Sequence, residues 1–192
     1  GIKSAPQHPI AIDRVCWQGE AVAAVVADTR RQAEDALEFI EVEFDLLPAV
    51  VDMRAALEGK YVIHPELQDN ICFSRELKTE GFDEAWQQAD KVVERTYRFS
   101  RHTGVCLEPR AILADYNPSD HSLTVYHATQ APHMMQDIFS KHLNIPESDV
   151  RIICKDVGGS FGIKVHVYAD EMATAISVAL KRPVKFQADR LE

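Results

Sequence analysis

The spacing of apolar residues changes several times along the 192-residue chain, and each change marks an element. "EAVAAVVAD", Glu20 to Asp28, is a short apolar run and predicts a strand. In "TRRQAEDALEFI" Ala33, Ala36, Leu37 and Ile40 recur on one face, so a helix is expected. "EVEFDLLPAVVD" alternates before Pro48 and predicts a second strand. Residues 56–80 carry little periodicity and read as a linker that crosses a surface. Beyond it, Phe82, Ala85, Trp86 and Ala89 make "GFDEAWQQAD" a short amphipathic helix. "KVVERTYRF" places Val93, Tyr97 and Phe99 on one face of an expected strand. "AILADYNPSDHSLTVYH" is two alternating runs around an Asn-Pro-Ser-Asp turn, a hairpin signal. "APHMMQDIFSKHL" has Pro132 in its first turn and Met135, Ile138, Phe139 and Leu143 on one face, which predicts a helix. "VRIIC" then reads as a buried strand, "ADEMATAISVAL" as a helix and "KRPVKFQ" as a last strand. Strands and helices mix without an internal repeat, so the expected class is α+β or mixed α/β.

Between that buried strand and the helix lies "DVGGSFGIK", Asp156 to Lys164, where Gly158, Gly159 and Gly162 surround a phenylalanine. Glycines let a backbone approach a ligand closely and adopt positive φ at little cost. A P-loop needs Ser or Thr after its Lys, but Val165 follows Lys164; the three glycines also miss the G-x-G-x-x-G spacing. A strand, a glycine loop and a helix start can still aim backbone N–H groups at one point, as in anion sites. The glycines alone leave a ligand-free tight turn equally open.

Composition narrows the classes. With 46% hydrophobic and 27% charged residues the chain is ordinary globular material, and its net charge of -9 argues against nucleic acid or an anionic membrane surface as partner. No run approaches the ~20 apolar residues of a membrane span. Cys16, Cys72, Cys106 and Cys154 are dispersed with no C-x-x-C pair, which fits reduced thiols in a cytoplasmic protein. The opening "GIKSAPQHPIAIDRV" without Met, and the stop at "QADRLE" after an apparent strand, read as a piece of a longer protein or one product of a split gene.

The order "CLEPRAILADY", "HATQAPH", a helix, "DVGGSFGIK" and a helix ending "KRPVKFQADR" resembles the molybdenum-binding large subunit of the xanthine dehydrogenase, aldehyde oxidase and carbon monoxide dehydrogenase family. "GEAVAAVVADTRRQAEDALEFIEVEFDLLPAVVD" is similar to the second half of the α/β hammerhead domain that precedes it there. The resemblance implies residues 1–55 as the C-terminal part of a hammerhead domain, 56–80 as a linker and 81–192 as the N-terminal part of a molybdenum cofactor-binding domain. It places the cofactor against Gly159, Ser160, Phe161 and Gly162, with Phe161 walling the pocket. The metal is held through the pterin and takes no side-chain ligand.

Gln130 in "ATQAPH", taken alone, reads better as a residue capping the following helix; within the family's order of motifs its amide becomes a neutral donor to the metal's apical oxo group. Glu108 and Arg110 in "LEPR" read as a structural acid and base pair, and His127 and His133 as hydrogen-bonded structural residues. Cys106 and Cys154 read as core thiols.

The implied activity is hydroxylation of an aldehyde, an N-heterocycle or carbon monoxide with water-derived oxygen. Its glutamate base is expected in a segment missing here, so no catalytic residue is assigned and the chain alone is expected to be inactive. Iron-sulfur (2Fe-2S) clusters and FAD are expected on partner domains or subunits, beside the remaining part of the molybdenum subunit. Ser160 stands where many relatives carry a third glycine, and Val165 where purine-oxidising members carry a glutamate, which argues against a purine. A phosphate or nucleotide-binding domain and a non-catalytic assembly partner are the competing readings.

Overall fold

The computed structural model describes residues 1–190. The chain divides into two compact units, residues 1–7 with 41–101, and residues 8–40 with 102–192.

The second unit is built on a four-stranded mixed sheet in the order β3-β2-β1-β4. Its strands are β1 (Ala111–Asn117), β2 (Ser122–His127), β3 (Val150–Ile153) and β4 (Val184–Gln187). β1 and β2 form the expected antiparallel hairpin, with Ala114 opposite Val125. Its turn is held by Asx contacts: the Ser119 N–H donates to Asn117 Oδ1 at 3.0 Å and the Ser122 N–H to Asp120 Oδ1 at 3.0 Å. β3 runs parallel to β2 and β4 antiparallel to β1, so β2, β3 and β4 all point the same way.

A helix, α4 (Pro132–Leu143), links β2 to β3; it begins on Pro132, whose missing N–H costs nothing there, and ends on Asn144 at φ 53°. Another, α5 (Met172–Leu180), links the glycine loop to β4. Both pack on one face of the sheet, where Ile112, Ala114, Leu123, Val125 and Val150 meet Met135, Phe139 and Ala173 in the core. Alternation produces this one-sidedness, because neighbouring residues on a strand point to opposite faces. α1 (Arg30–Leu37) belongs to the same unit and is capped by the Thr29 side chain, which accepts from the Gln32 N–H.

In the first unit α2 (Met53–Leu57) starts on Asp52, whose carboxylate accepts the Arg54 and Ala55 N–H groups; these contacts hold its pKa below the ordinary value. A short 3-10 turn spans Pro65–Leu67, so a capping signal and a proline order two turns around a stretch read from sequence as aperiodic. α3 (Phe82–Gln87) lies where its apolar face predicted, with Phe82 and Trp86 stacked 5.8 Å apart.

Three expected strands do not form. Residues 20–28, 41–50 and 91–99 run without a ladder. Their side chains carry the pattern of a strand, but a strand needs a backbone ladder along its length, and among the described residues the one sheet is β3-β2-β1-β4 and includes none of them. The architecture is a mixed α/β domain with a four-stranded sheet.

Candidate functional site

The sheet's topology gathers the site at one end. Gln130 follows the carboxyl end of β2, the glycine loop follows that of β3, and Glu108 lies just ahead of β1, whose start is paired with the ends of β2 and β4. Crevices at the carboxyl ends of parallel strands are where such sheets bind ligands. A cleft of about 240 Å³ lies beside the site, lined by Glu108, His127, Asp156 and Phe186 among others but not by Gln130 or residues 158–164.

The loop adopts a shape only partly open to ordinary residues. Gly159 and Gly162 lie at φ +96° and +88°, and Phe161 between them is held at φ 50°. A bulky residue in the left-handed region is strained, and such strain collects at functional sites. Phe161 is also 77% exposed, so burial does not account for it. Its Cβ lies where a side chain on Gly104 would sit, 2.8 Å away, and its ring edge comes within 3.1 Å of one on Gly159. Gly162 faces open space, so its requirement is the backbone angle.

Gln130 does not cap α4. Ala131 is the N-cap and has no side-chain bond, while Thr129 Oγ1 accepts the Ala131 N–H at 3.1 Å. Instead Gln130 Oε1 accepts the Gly162 N–H at 3.1 Å and the Ser160 hydroxyl proton. Because the Gly162 N–H can only donate, the amide oxygen must face the loop, which orients the amide. Nε2 is left without a partner among the described residues. Inside the loop the Gly158, Gly159, Gly162 and Ile163 N–H groups are satisfied, whereas those of Ser160 and Phe161 meet no acceptor among the described residues. Across residues 158–163 and Gln130 this leaves three unspent donors among the described residues: two backbone N–H groups and one neutral amide.

Lys164 closes the loop. Its carbonyl accepts the Gln130 N–H at 3.1 Å and the Thr129 hydroxyl at 2.9 Å, and its side chain, 1% exposed, donates to Glu108 Oε2 at 2.6 Å. The same Oε2 accepts the Gly158 N–H at 2.8 Å. Desolvation pushes the Glu108 carboxyl up, but the Lys164 and Gly158 contacts outweigh it and hold the group below the ordinary range. Glu108 therefore pairs with Lys164 and not with Arg110, whose guanidinium lies 4.3 Å from the centre of the Tyr168 ring.

Tyr168 in turn donates its hydroxyl to the Ile163 carbonyl at 2.7 Å. Buried Glu171 accepts the Tyr168 N–H and faces His127 Nε2 at 3.2 Å; His127 Nδ1 is buried and has no hydrogen-bond partner among the described residues. His133 is exposed. Cys106 is buried below Gly159, and the Cys154 thiol donates to the Thr129 carbonyl at 3.0 Å. The start of α5 is not part of the loop: a 3-10 turn at Ile163–Val165 intervenes, and the helix begins only at Met172.

Among these residues the glycine loop and Gln130 were visible from sequence, and the structure brings them into contact. Glu108 and Lys164 were not visible as a pair. The available signal was a lysine between the apolar Ile163 and Val165, which forecasts burial and a counter-charge but does not say which acid supplies it.

No cluster of three or more His, Cys, Asp or Glu side chains able to hold a metal exists among the described residues, and no helix is long and apolar enough to cross a membrane.

Comparison with known proteins identifies the family. The sequence model of the molybdopterin cofactor-binding domain matches residues 63–192. The chain is 36% identical over 184 residues to the nicotine 6-hydroxylase large subunit of Paenarthrobacter nicotinovorans, covering 95% of this chain and 22% of that protein. It is 34% identical over 198 residues to the carbon monoxide dehydrogenase large chain of Hydrogenophaga pseudoflava, covering 95% and 25%. The solved Cu,Mo-CO dehydrogenase superposes with a TM-score of 0.87 at 29% identity, over 95% of this chain and 25% of that one. The chain spans about a quarter of the length of these relatives. With the domain model covering its larger part and the glycine loop and Gln130 meeting at the end of its sheet, this chain belongs to the molybdopterin cofactor-binding family of the molybdenum hydroxylases.

Proposed function

We propose that this chain supplies one wall of the molybdenum cofactor site of a hydroxylase acting on an aldehyde, an N-heterocycle or carbon monoxide. The observation that carries the reading is the set of unspent donors, the Ser160 and Phe161 N–H groups and Gln130 Nε2, flanked by the satisfied N–H groups of Gly158, Gly159, Gly162 and Ile163. Oriented N–H dipoles suit a charged, oxygen-bearing group and need no reorganisation when it binds. When bound, a molybdenum-pterin cofactor supplies the redox chemistry, which no protein side chain can.

The roles of the chain's own residues follow from their chemistry. Ser160 and Phe161 donate backbone hydrogen bonds, and Gln130 donates a third without adding charge, which suits a metal whose oxidation state changes. The exposed Phe161 ring keeps water away and offers a flat wall to a substrate. Gly159 and Gly162 permit the backbone angles on which this arrangement depends. We assign no catalytic residue here and place the general base in another segment of the protein.

The same reading makes residues 1–55 part of a hammerhead domain, 56–80 a linker and 81–192 the first part of the cofactor domain. The 95% coverage by the solved carbon monoxide dehydrogenase, which extends well beyond residues 63–192, supports it. Iron-sulfur and flavin domains or subunits are the proposed electron-transfer partners; relatives named as large subunits and large chains support a multi-subunit assembly.

The test is Gln130→Ala in the natural protein purified with its partners. Turnover should fall by about 10²-fold or more, the loss seen when one preorganised donor is removed, while molybdenum content stays within about twofold. Unchanged turnover at full molybdenum occupancy overturns the role of Gln130.

A further inference from the structure

We infer that Glu108 is a positioning residue for the glycine loop: one carboxylate oxygen ties Gly158, where the loop starts, to Lys164, where it ends, and so sets the shape in which the free N–H groups and the Gln130 amide face a bound group. The last clause rests on the cofactor reading; the clamp itself does not.

Within the loop only Val157 and Ile163 are half-buried apolar side chains, and neither is fully buried. Gly158 and Gly162 are exposed, Phe161 is largely exposed, and Ser160 is spent on Gln130. Between Val157 and Ile163 polar ties define its shape, and the two that span it meet at Glu108 Oε2. Glu108 and Gly158 also exchange a second bond, from the Glu108 N–H to the Gly158 carbonyl at 3.2 Å. A Cβ on Gly158 would lie 2.6 Å from that of Glu108, so the two segments are in direct contact. Behind the clamp, Arg190 donates to the Cys106 and Leu107 carbonyls, which fixes the backbone that carries Glu108.

On the far side, the Lys164 carbonyl receives bonds from Thr129 and Gln130. Moving Lys164 thus moves the backbone of Gln130. A buried ammonium is tolerated only with its counter-charge, and the Glu108 carboxylate is the one acid in ion-pair contact with it among the described residues. Loss of the carboxylate therefore releases both ends of the loop together, and Gln130 with them.

The experiment is amide hydrogen exchange and molybdenum analysis on the natural protein with its partners, as wild type, Glu108→Gln and Glu108→Asp. Glu108→Gln should speed exchange at Gly158, Gly162 and Ile163 by about tenfold or more while amides in β1 and β2 stay within about twofold. Its molybdenum content should drop. Glu108→Asp keeps the charge but falls one methylene short of bridging both ends; it should give an intermediate loop exchange rate and an altered paramagnetic resonance line shape in the molybdenum it retains. Unchanged loop exchange in Glu108→Gln overturns the inference. If Glu108→Gln also loses protection in the sheet, Glu108→Asp decides alone, and unchanged loop exchange there overturns it. A wild type without molybdenum would defeat the cofactor reading, while the exchange comparison would still decide the clamp.

Discussion

In the sheet, Ile112, Leu123 and Val125 are sealed beneath α4 and α5, and each carries a regular backbone ladder. In the loop that leaves β3, hardly any side chain is buried before Lys164, three residues have positive φ, and the tethers are a carboxylate, an amide and a buried ammonium. The sheet gains its stability from apolar burial, which tolerates the loss of any one polar contact. The loop draws its shape from directional contacts that fail one at a time. Folding and ligand geometry should therefore be separable by mutation, and the separation can be attacked from either side.

The largest effect is expected in the sheet. Leu123→Ala removes a fully buried side chain from the centre of the core and should cost about 2–5 kcal/mol of unfolding free energy. Denaturant unfolding measures it; a loss within surface-mutation range would mean that the sheet is not the stabilising region.

Gly162→Val should act the other way. A β-branched residue at φ +88° costs on the order of 1–3 kcal/mol locally, enough to re-route the loop without unfolding the sheet. Molybdenum content should collapse while the unfolding midpoint moves little. Normal metal content in this variant would remove the loop from the cofactor's surroundings.

The smallest effect is a pH dependence. Burial raises the Glu108 carboxyl, but Lys164 and the Gly158 N–H hold it below its ordinary value in the folded protein. A group whose folded pKa is depressed stabilises the fold above its unfolded value and loses that contribution as pH falls through the folded one. Loop protection should thus be flat from neutral pH down to about 5 and be lost only below the ordinary glutamate value of about 4.3. Hydrogen exchange at Gly158 across that range checks it, and Glu108→Gln should abolish the acid transition.

The same contrast explains what the sequence revealed. Where apolar spacing coincides with local burial, as in β1, β2 and α4, pattern and structure agree to within a residue or two. In "KVVERTYRF" the same alternation forms no ladder, and Tyr97 and Phe99 stay exposed, because side-chain pattern names a face but not a partner strand. In the loop, Gly159 and Gly162 were legible because positive φ restricts residue type. The tie from Lys164 to Glu108 was not, since it joins residues far apart in sequence and many acids could have supplied the charge. Arg110, two positions from Glu108, was the nearer partner in sequence and is turned to Tyr168 instead.

The central claim is that the free donors around Gln130, Ser160 and Phe161 hold a molybdenum-pterin cofactor. Elemental analysis together with pterin fluorescence on the natural protein, purified with its partners, tests this most directly. The account predicts molybdenum and pterin in equal amounts, both falling together in Gly162→Val. A protein that carries a nucleotide or inorganic phosphate at full occupancy, with neither molybdenum nor pterin, would contradict it.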